Sequence, residues 1–175
     1  MDGCPTAPLR RILAGVGKVP RPRTSTTTST SPSTEDKLAI QEMIARYSDT
    51  YDSGDARGFA GLFVDHAVFE IFVPGRTRPA VRLRSRREIY GWAARRLRER
   101  HGRFTSRHFQ SGVRFDELTP KVARVRVMML VTRQEATDNR PYVNLTGVYH
   151  DVWRKTSAGW RLAQRAAYAD RDPGF

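Results

Sequence analysis

The apolar residues of this chain change their spacing near position 105, from the period of helices to the period of strands. Before that position they recur every three or four residues in three stretches, which is the spacing of one helical face. After it they alternate with polar residues, as in strands that bury one face. The pattern predicts helices in the first part of the domain and mostly antiparallel strands in the second, which is an α+β order.

The first helical stretch has the clearest boundaries. Helix 1 is expected to begin at Ser33 or Thr34, because two acidic residues follow in the first turn, where the helix dipole favours them. Ser53-Gly54 is expected to end it, and Asp55 to cap helix 2. The apolar face of helix 1 comprises Ile40, Met43, Ile44, Tyr47 and Tyr51.

Two further helices and two short strands are expected before position 105. Helix 2 is expected to bury Phe59, Leu62 and Phe63. The sequence Ser85-x-x-Glu88 is a capping box, which predicts the start of helix 3. Residues 68–73 and 81–83 have the β-branched and aromatic composition of strands. The apolar face of helix 3 comprises Ile89, Trp92, Ala93 and Leu97.

Four strands are expected in the second part, over residues 105–115, 122–133, 143–155 and 160–168. In the third of these, Tyr149 and Asp151 share one face and His150 lies on the other, because side chains alternate along a strand. Asp151 is expected to pair with Arg165 or another strand arginine across the sheet. The buried face of the second strand comprises Ala123, Val125, Val127, Met129 and Val131.

Residues 1–34 are expected to be a disordered extension, and residues 35–175 to be the single domain. The extension is rich in Arg, Ser, Thr and Pro and lacks the apolar surface needed to order itself. Its composition also resembles an organelle transit peptide. It has no apolar run long enough for a signal peptide or a membrane span, so we expect a cytoplasmic protein with no membrane partner.

The formal net charge of +13 is the most unusual bulk property. Such charge favours nucleic acid, anionic surfaces or anionic substrates as partners. The chain has no block of five basic residues and no known nucleic-acid-binding signature, so we do not expect nucleic acid to bind. Cys4 is the single cysteine and the four histidines lack metal-ligand spacing, so neither a disulfide within the chain nor a metal site is expected.

Three stretches of the chain carry a family pattern. They are Ile44-x-x-Tyr47-x-x-x-x-Asp52-x-Gly54-Asp55 with Leu62-Phe63-x-Asp65-x-Ala67-x-Phe69, then Thr105-Ser106-Arg107-His108-Phe109, and then Gly147-x-Tyr149-x-Asp151-x-Trp153 with Gly159-Trp160-Arg161. Together they resemble the SnoaL-like families of the NTF2-like superfamily, over about residues 35–171. The resemblance implies a cone-shaped barrel, in which three helices pack on a strongly curved, mostly antiparallel sheet around one apolar pocket. It also implies no cofactor and a homo-oligomer, a dimer or trimer.

The resemblance also implies site residues. In the scytalone dehydratase type, an aspartate run on helix 1 and a strand histidine match Tyr51-Asp52-Ser53-Gly54-Asp55 and His108; Thr132-Arg133 lies near the place of its second catalytic histidine. In the bile-acid 7α-dehydratase type, a tyrosine and an aspartate match Tyr47 and Asp52. His108 would be the base or proton shuttle, Asp52 would orient it or act as acid, and Tyr47 would hydrogen-bond the substrate oxygen. The residues expected to bind substrate are Tyr51, Tyr149, Trp92 and Met129.

The implied function is a cofactor-independent dehydratase (a lyase) or a cyclase/isomerase of the secondary-metabolism type, acting on a hydrophobic, cyclic, oxygenated small molecule. The alternative is a non-catalytic NTF2-like module that binds a ligand or a protein, since one fold hosts both. A purely apolar pocket, with His108 turned outward, would favour the module. If Arg76, Arg78, Arg82 and Arg84 border the pocket mouth they would attract an acidic substrate; otherwise they form a solvated basic face.

Overall fold

The structure is a computed structural model that describes residues 33–174. The predicted disordered extension lies almost wholly outside the described residues. Within the described range the chain forms three helices and six strands. Two strands lie between the second and third helices, and the other four follow the third helix. The elements are α1 (Thr34–Ser53), α2 (Ala56–Gly61), β1 (Phe63–Phe72), β2 (Val81–Leu83), α3 (Arg86–Arg100), β3 (Phe104–Leu118), β4 (Val122–Glu135), β5 (Tyr142–Thr156) and β6 (Gly159–Ala169).

The predicted helix ends are confirmed. The Ser33 hydroxyl accepts a hydrogen bond from the backbone N–H of Asp36 at 3.1 Å and so caps α1. Gly54 ends α1 in the left-handed conformation, at φ 91°, which glycine adopts without steric cost. The Asp55 carboxylate accepts from the N–H of Gly58 at 2.8 Å and caps α2. Ser85 caps α3 by accepting from the N–H of Glu88.

The predicted place of Phe63 in helix 2 is wrong. Helix α2 ends at Gly61, and Phe63 is the first residue of β1, which starts earlier than the predicted strand. The cause is a tertiary contact: the Leu62 carbonyl accepts from the N–H of Leu162 at 2.9 Å, and Phe63 pairs with Leu162 on β6. The pairing register of β1 with β6 shifts between Phe63 and Val68. Because of this irregularity, apolar and polar residues do not alternate regularly in this part of β1.

The six strands form one mixed sheet in the order β2-β1-β6-β5-β4-β3. Strands β1 and β6 are parallel, and the other four pairings are antiparallel, as mostly expected. Strands β2 and β3 are edges, so the sheet is open and the expected barrel is not closed. Irregularities in the registers of β3, β4 and β5, one of them at Gly112 (φ 59°), provide the bends that such bulges introduce.

The helices pack on the inner face of this sheet and enclose the core. The predicted alternation of β4 is confirmed, because the five residues of its predicted inner face are buried: Ala123, Val125, Val127, Met129 and Val131. The predicted face of β5 is also confirmed: Tyr149 and Asp151 are buried and His150 is exposed. Asp151 pairs with Arg165 of β6 inside the core, as the sequence indicated. None of the described helices is long and apolar enough to cross a membrane.

Asp36 ties the start of α1 to the hairpin formed by β5 and β6. Its carboxylate accepts hydrogen bonds from the Lys155 ammonium at 2.7 Å and from the Trp160 indole N–H at 2.9 Å. The hydrogen bond from Lys155, followed by that from Trp160, holds the pKa of Asp36 below its ordinary value of 3.8. The ionised carboxylate therefore stabilises the folded state.

Replacing Asp36 by Asn is expected to lower the free energy of unfolding at pH 7 by about 1–2 kcal/mol, since the hydrogen bonds to charge are lost and Lys155 is half exposed. The pKa of Asp36 is lowered on folding, so its contribution is present above pH 3.8 and is lost as the pH falls through the lower, folded-state value. Urea unfolding at several pH values measures this. Asp49→Asn, an exposed change in the same helix, is the control. A difference between wild type and Asp36→Asn that stays constant down to pH 2 would contradict the assignment.

Candidate active site

A cavity of about 280 Å³ lies between α1, α3 and the inner face of the sheet. This is close to the lower end of the range of about 300–1,000 Å³ that is usual for small-molecule sites. Its inner part is buried and largely apolar, and its outer part is polar and half exposed. The inner part comprises Tyr47, Phe69, Ile71, Met129, Val131, Leu145, Tyr149 and Ala167, and the outer part includes Arg96, Glu99, Arg100, Arg103, Phe104, Arg133 and Asn144.

His108 lines the cavity, and Asp52 lies directly behind it. The His108 Nδ1 atom is 2.6 Å from Asp52 Oδ1, and the His108 backbone N–H donates to Asp52 Oδ2 at 2.7 Å. The two side chains are 13% and 11% exposed. Asp52 is not among the residues that line the cavity, so its carboxylate is placed to orient His108 rather than to act on a substrate directly as an acid.

The backbone explains why these two residues meet. Strand β3 is an edge of the sheet, so N–H groups that point away from β4 have no strand partner. Helix α1 supplies the missing partner for His108 through Asp52, in its last turn. Gln110, two residues further along β3, donates to the Ile44 carbonyl at 2.9 Å and to the Ser48 hydroxyl at 2.8 Å. Side chains thus fasten β3 to α1 at the histidine backbone and two residues beyond it.

The geometry sets the tautomer of His108. A carboxylate can only accept hydrogen bonds, so we assign the ring proton to Nδ1, which donates to Asp52. In the neutral imidazole the other nitrogen, Nε2, then carries a free lone pair. A histidine held in this way can take up a proton at Nε2, while the aspartate stabilises the charged ring.

Tyr51 and Trp92 pack around the imidazole. The Tyr51 ring stands edge-on to His108 at 5.2 Å between centroids and stacks with Trp92 at 6.0 Å. Burial raises the pKa of Tyr51 to about 12. Both residues therefore border the cavity as neutral aromatic walls, and their contacts restrict the orientation of the histidine ring.

Tyr47 and Tyr149 form the other side of the cavity, with a buried cation behind them. The guanidinium carbon of Arg165 lies 4.0 Å from the centroid of each ring. Arg165 is held by Asp151 through two hydrogen bonds, of 2.8 and 2.7 Å. Burial raises the pKa of both tyrosines, so they keep their O–H donors near neutral pH, while Arg165 partly opposes the rise. Burial alone would lower the pKa of Arg165, but Asp151 more than offsets this, and Arg165 remains charged.

Six of the seven proposed site residues line one cavity: His108, Tyr47, Tyr51, Tyr149, Trp92 and Met129. Asp52 touches the cavity only through His108. None of the four loop arginines considered for the pocket mouth is among the residues that line the cavity. Arg82 pairs with Glu70 at 2.5 Å, and Arg76 pairs at 2.7 Å with Asp172, which directly precedes two lining residues, Pro173 and Gly174.

Four other arginines line the cavity instead. None of them was predicted to line the cavity, although Trp92, Arg96 and Arg100 recur every four residues and so share one face of α3. Arg133 was noted only as lying near the place of a second catalytic histidine in the scytalone dehydratase type. Arg103 gave no signal, because it follows the helix. Within residues 33–174, no group of three or more His, Cys, Asp or Glu side chains is placed to hold a metal ion.

Known structures resemble the described domain in fold. Rv3472, a protein of unknown function from Mycobacterium tuberculosis, is 28% identical, with a TM-score of 0.66 over 79% of this chain and 76% of its own. A candidate scytalone dehydratase from Novosphingobium aromaticivorans is 21% identical, with a TM-score of 0.62 over 78% of this chain and 88% of its own. An NTF2-like protein with a cystatin-like fold from the same organism is 23% identical, with a TM-score of 0.62 over 77% and 81% of the two chains.

These similarities confirm the predicted NTF2-like architecture. No match was found among curated protein sequences. The family model of the SnoaL-like domain matches residues 32–166, which include both α1 and β6 almost to its end. The chain belongs to the SnoaL-like domain family.

Proposed function

We propose that this protein is a cofactor-independent SnoaL-like enzyme, a dehydratase or a cyclase/isomerase, that acts on a hydrophobic, cyclic, oxygenated small molecule. The observation that carries the proposal is the His108 ring in the cavity wall with its Nδ1 held by Asp52. Family membership supports an enzyme-like function, and one structural relative is named as a scytalone dehydratase. The small, mostly apolar inner cavity suits a compact ring system.

In the proposed reaction, His108 Nε2 removes a proton from a carbon next to the substrate carbonyl. The electron pair of the broken C–H bond moves to the carbonyl oxygen and forms an enolate. Tyr47 and Tyr149 line the same cavity, and we propose that their O–H groups donate to that oxygen, while the Arg165 cation behind their rings favours the negative charge. The oxygen is thereby stabilised more strongly in the transition state than in the bound ketone.

Dehydration and cyclisation differ in the next step. In dehydration the enolate expels a hydroxyl group from the adjacent carbon, and protonated His108 supplies the proton that makes it water. In cyclisation the enolate carbon attacks a second carbonyl, and the same proton goes to the new alkoxide. Asp52 acts as a positioning residue in both, because it keeps the proton on Nδ1 and stabilises the imidazolium between the two transfers.

A fluorescent conversion tests this proposal. The compound 3-hydroxy-1-tetralone has a ketone and a β-hydroxyl group on two fused rings, and its dehydration gives 1-naphthol. Purified protein is expected to accelerate naphthol formation and, in D₂O, to accelerate exchange of the C–H next to the ketone, followed by NMR. Absence of both effects across a panel of β-hydroxy cyclic ketones would contradict the enzyme assignment and favour the non-catalytic binding module.

A row of apolar side chains on the outer face of the sheet favours contact with a second copy of the chain. Met128, Val148, Tyr168 and Phe72 lie in register on four neighbouring strands. Tyr168 stacks on Phe72 at 4.9 Å between ring centroids, and Met128 and Tyr168 are 55% and 45% exposed. We propose that two copies pack through this outer row, because a two-fold contact lets each row cover the other.

The exchange Tyr168→Glu is expected to convert this dimer to a monomer, because it places a charge in the centre of the contact. Light scattering after size exclusion measures the mass, which should fall from twice the chain mass of 19.9 kDa to that value. Tyr90→Glu is the matched control, since Tyr90 on α3 is also 45% exposed. A monomeric wild type, or a variant that stays dimeric, would contradict this contact.

A further inference from the structure

The outer part of the cavity carries more positive than negative charge. Arg96, Arg100, Arg103 and Arg133 line it, and Glu99 is the one carboxylate among the lining residues that the structure describes. These arginines come from three different segments of the chain: α3, the turn after it and β4. They meet at one opening only in the folded structure. This distinguishes them from the arginines that are scattered over the rest of the surface.

Among residues 33–174, two of these cations form no ion pair with a carboxylate, although Arg103 is near enough to Glu135 to help lower the pKa of that carboxyl. Arg133 pairs with Glu135 at 2.5 Å, and Arg96 lies 3.9 Å from Glu99. For Arg100 and Arg103 no carboxylate lies within ion-pair distance among the described residues. The four arginines outnumber Glu99 and Glu135, so the cavity opening keeps an excess of positive charge beside a low-dielectric interior, which strengthens its attraction for an anion.

Arg100 also has a structural contact that must be separated from ligand binding. Its guanidinium donates to the carbonyls of Tyr51 and Asp52 at the end of α1, each at 2.8 Å, and to the Ser106 hydroxyl at 2.8 Å. All three acceptors are neutral, so its charge remains. Arg103 has no such contact and is exposed, which makes it the better test of anion binding.

The position of Ser106 relates this charge to the reacting centre. Ser106 precedes His108 by two residues on β3, so both side chains lie on the same face, about 7 Å apart along the strand. An anionic group held near Ser106 and Arg100 would thus lie about 7 Å from the atom that His108 deprotonates. That separation spans one to two fused rings.

We propose that the substrate is an amphiphilic anion: a cyclic ketone in the inner part of the cavity, with an anionic oxygen group held in the outer part by Arg103, Arg133 and the charge of Arg100. This inference rests on the proposed function for the identity of the ring. The shared chemistry is an oxyanion, whether a carboxylate on the substrate itself or a phosphate on an attached carrier. Arginine suits both, because its planar donors match carboxylate and phosphate geometry.

Equilibrium binding of three naphthalene probes tests the inference without any turnover. The probes are 2-acetylnaphthalene, which is a neutral ketone, 2-naphthoate and 2-naphthyl phosphate, measured by titration calorimetry at pH 7. We expect at least one anion to bind about tenfold more tightly than the ketone in low salt, a ratio that falls in 0.5 M NaCl. Tighter naphthoate assigns a substrate carboxylate, and tighter naphthyl phosphate assigns a carrier phosphate.

Single arginine substitutions locate the site at which the anion binds. Arg103→Gln and Arg133→Gln are each expected to weaken the preferred anion about three- to tenfold and leave the ketone unchanged. Arg87→Gln, at the other end of α3 and outside the cavity, removes the same charge and is expected to leave the ratio unchanged. Because Arg103 is exposed and forms no ion pair within residues 33–174, its variant is expected to keep the wild-type unfolding temperature.

The results separate this inference from the proposed function. Equal binding of ketone and anions, no binding of any probe, or an anion preference unchanged in both Arg103→Gln and Arg133→Gln would overturn the inference, whatever the catalytic assay shows. A clear anion preference that depends on these arginines, in a protein with no turnover of neutral or acidic hydroxyketones, would support the inference and overturn the proposed catalysis.

Discussion

Replacing His108 by Ala is expected to lower kcat for dehydration by about 100-fold or more, because the variant has no group to carry the proton. Asp52→Asn is expected to cause a loss of similar size. The asparagine amide has no negative charge to stabilise the imidazolium. Its N–H group can also donate to an unprotonated Nδ1, which favours the tautomer with the proton on Nε2. Both rates are measured with the hydroxytetralone that the wild type converts, at saturating substrate.

The controls for these exchanges share residue type and element. His150→Ala removes an exposed histidine from the outer face of the sheet, and Asp49→Asn removes an exposed carboxylate one turn earlier in α1. Asp52 also accepts the His108 backbone N–H, so Asp52→Asn is compared at a temperature where its unfolding curve shows it folded. Activity within threefold of wild type in both His108→Ala and Asp52→Asn would remove the acid–base pair from the mechanism.

Replacing Arg165 by Leu is expected to lower the free energy of unfolding by about 3–5 kcal/mol, since it leaves the Asp151 carboxylate buried without a partner. That is a large part of the roughly 5–15 kcal/mol of a typical domain. Both side chains are fully buried, and the guanidinium also lies against the rings of Tyr47 and Tyr149. Urea unfolding of wild type and variant measures the loss.

The double exchange Asp151→Leu with Arg165→Leu separates the desolvated charge from the loss of packing. Removing both charges is expected to recover most of the stability that Arg165→Leu loses, because no unpaired ion remains in the core. Its catalytic rate is expected to stay low, since the tyrosines no longer have a cation behind them. A double variant as unstable as Arg165→Leu, or a loss below 1 kcal/mol in the single variant, would contradict this account of the pair.

Local signals account for what the sequence predicted well. The ends of α1 and the caps at Asp55 and Ser85 depend on contacts within four residues. The residue types that make these contacts can be recognised from the sequence alone. The alternation of β4 and β5 follows from one buried and one exposed face. Phe63 was misplaced because its strand is formed by pairing with Leu162, nearly a hundred positions away, which no local pattern reports.

The candidate site was predictable in part for the same reason. The resemblance to SnoaL-like proteins indicated Asp52 and His108, but no sequence pattern could give their order, in which the imidazole faces the cavity and the carboxylate lies behind it. That order depends on β3 being an edge strand that α1 covers. Arg103 and Arg133 reach the opening only because the turn after α3 and the end of β4 meet there.

The most direct measurement is ¹⁵N NMR of the imidazole nitrogens of histidine-labelled protein, with the His108 signals identified by their loss in His108→Gln. The account expects a His108 ring that carries a proton on Nδ1, an Nε2 signal that shifts when 2-acetylnaphthalene binds, and loss of the fixed tautomer in Asp52→Asn. A His108 ring with its proton on Nε2 would contradict the claim that Asp52 holds this histidine as the general base. Signals of His108 that change neither on ligand binding nor in Asp52→Asn would contradict it as well.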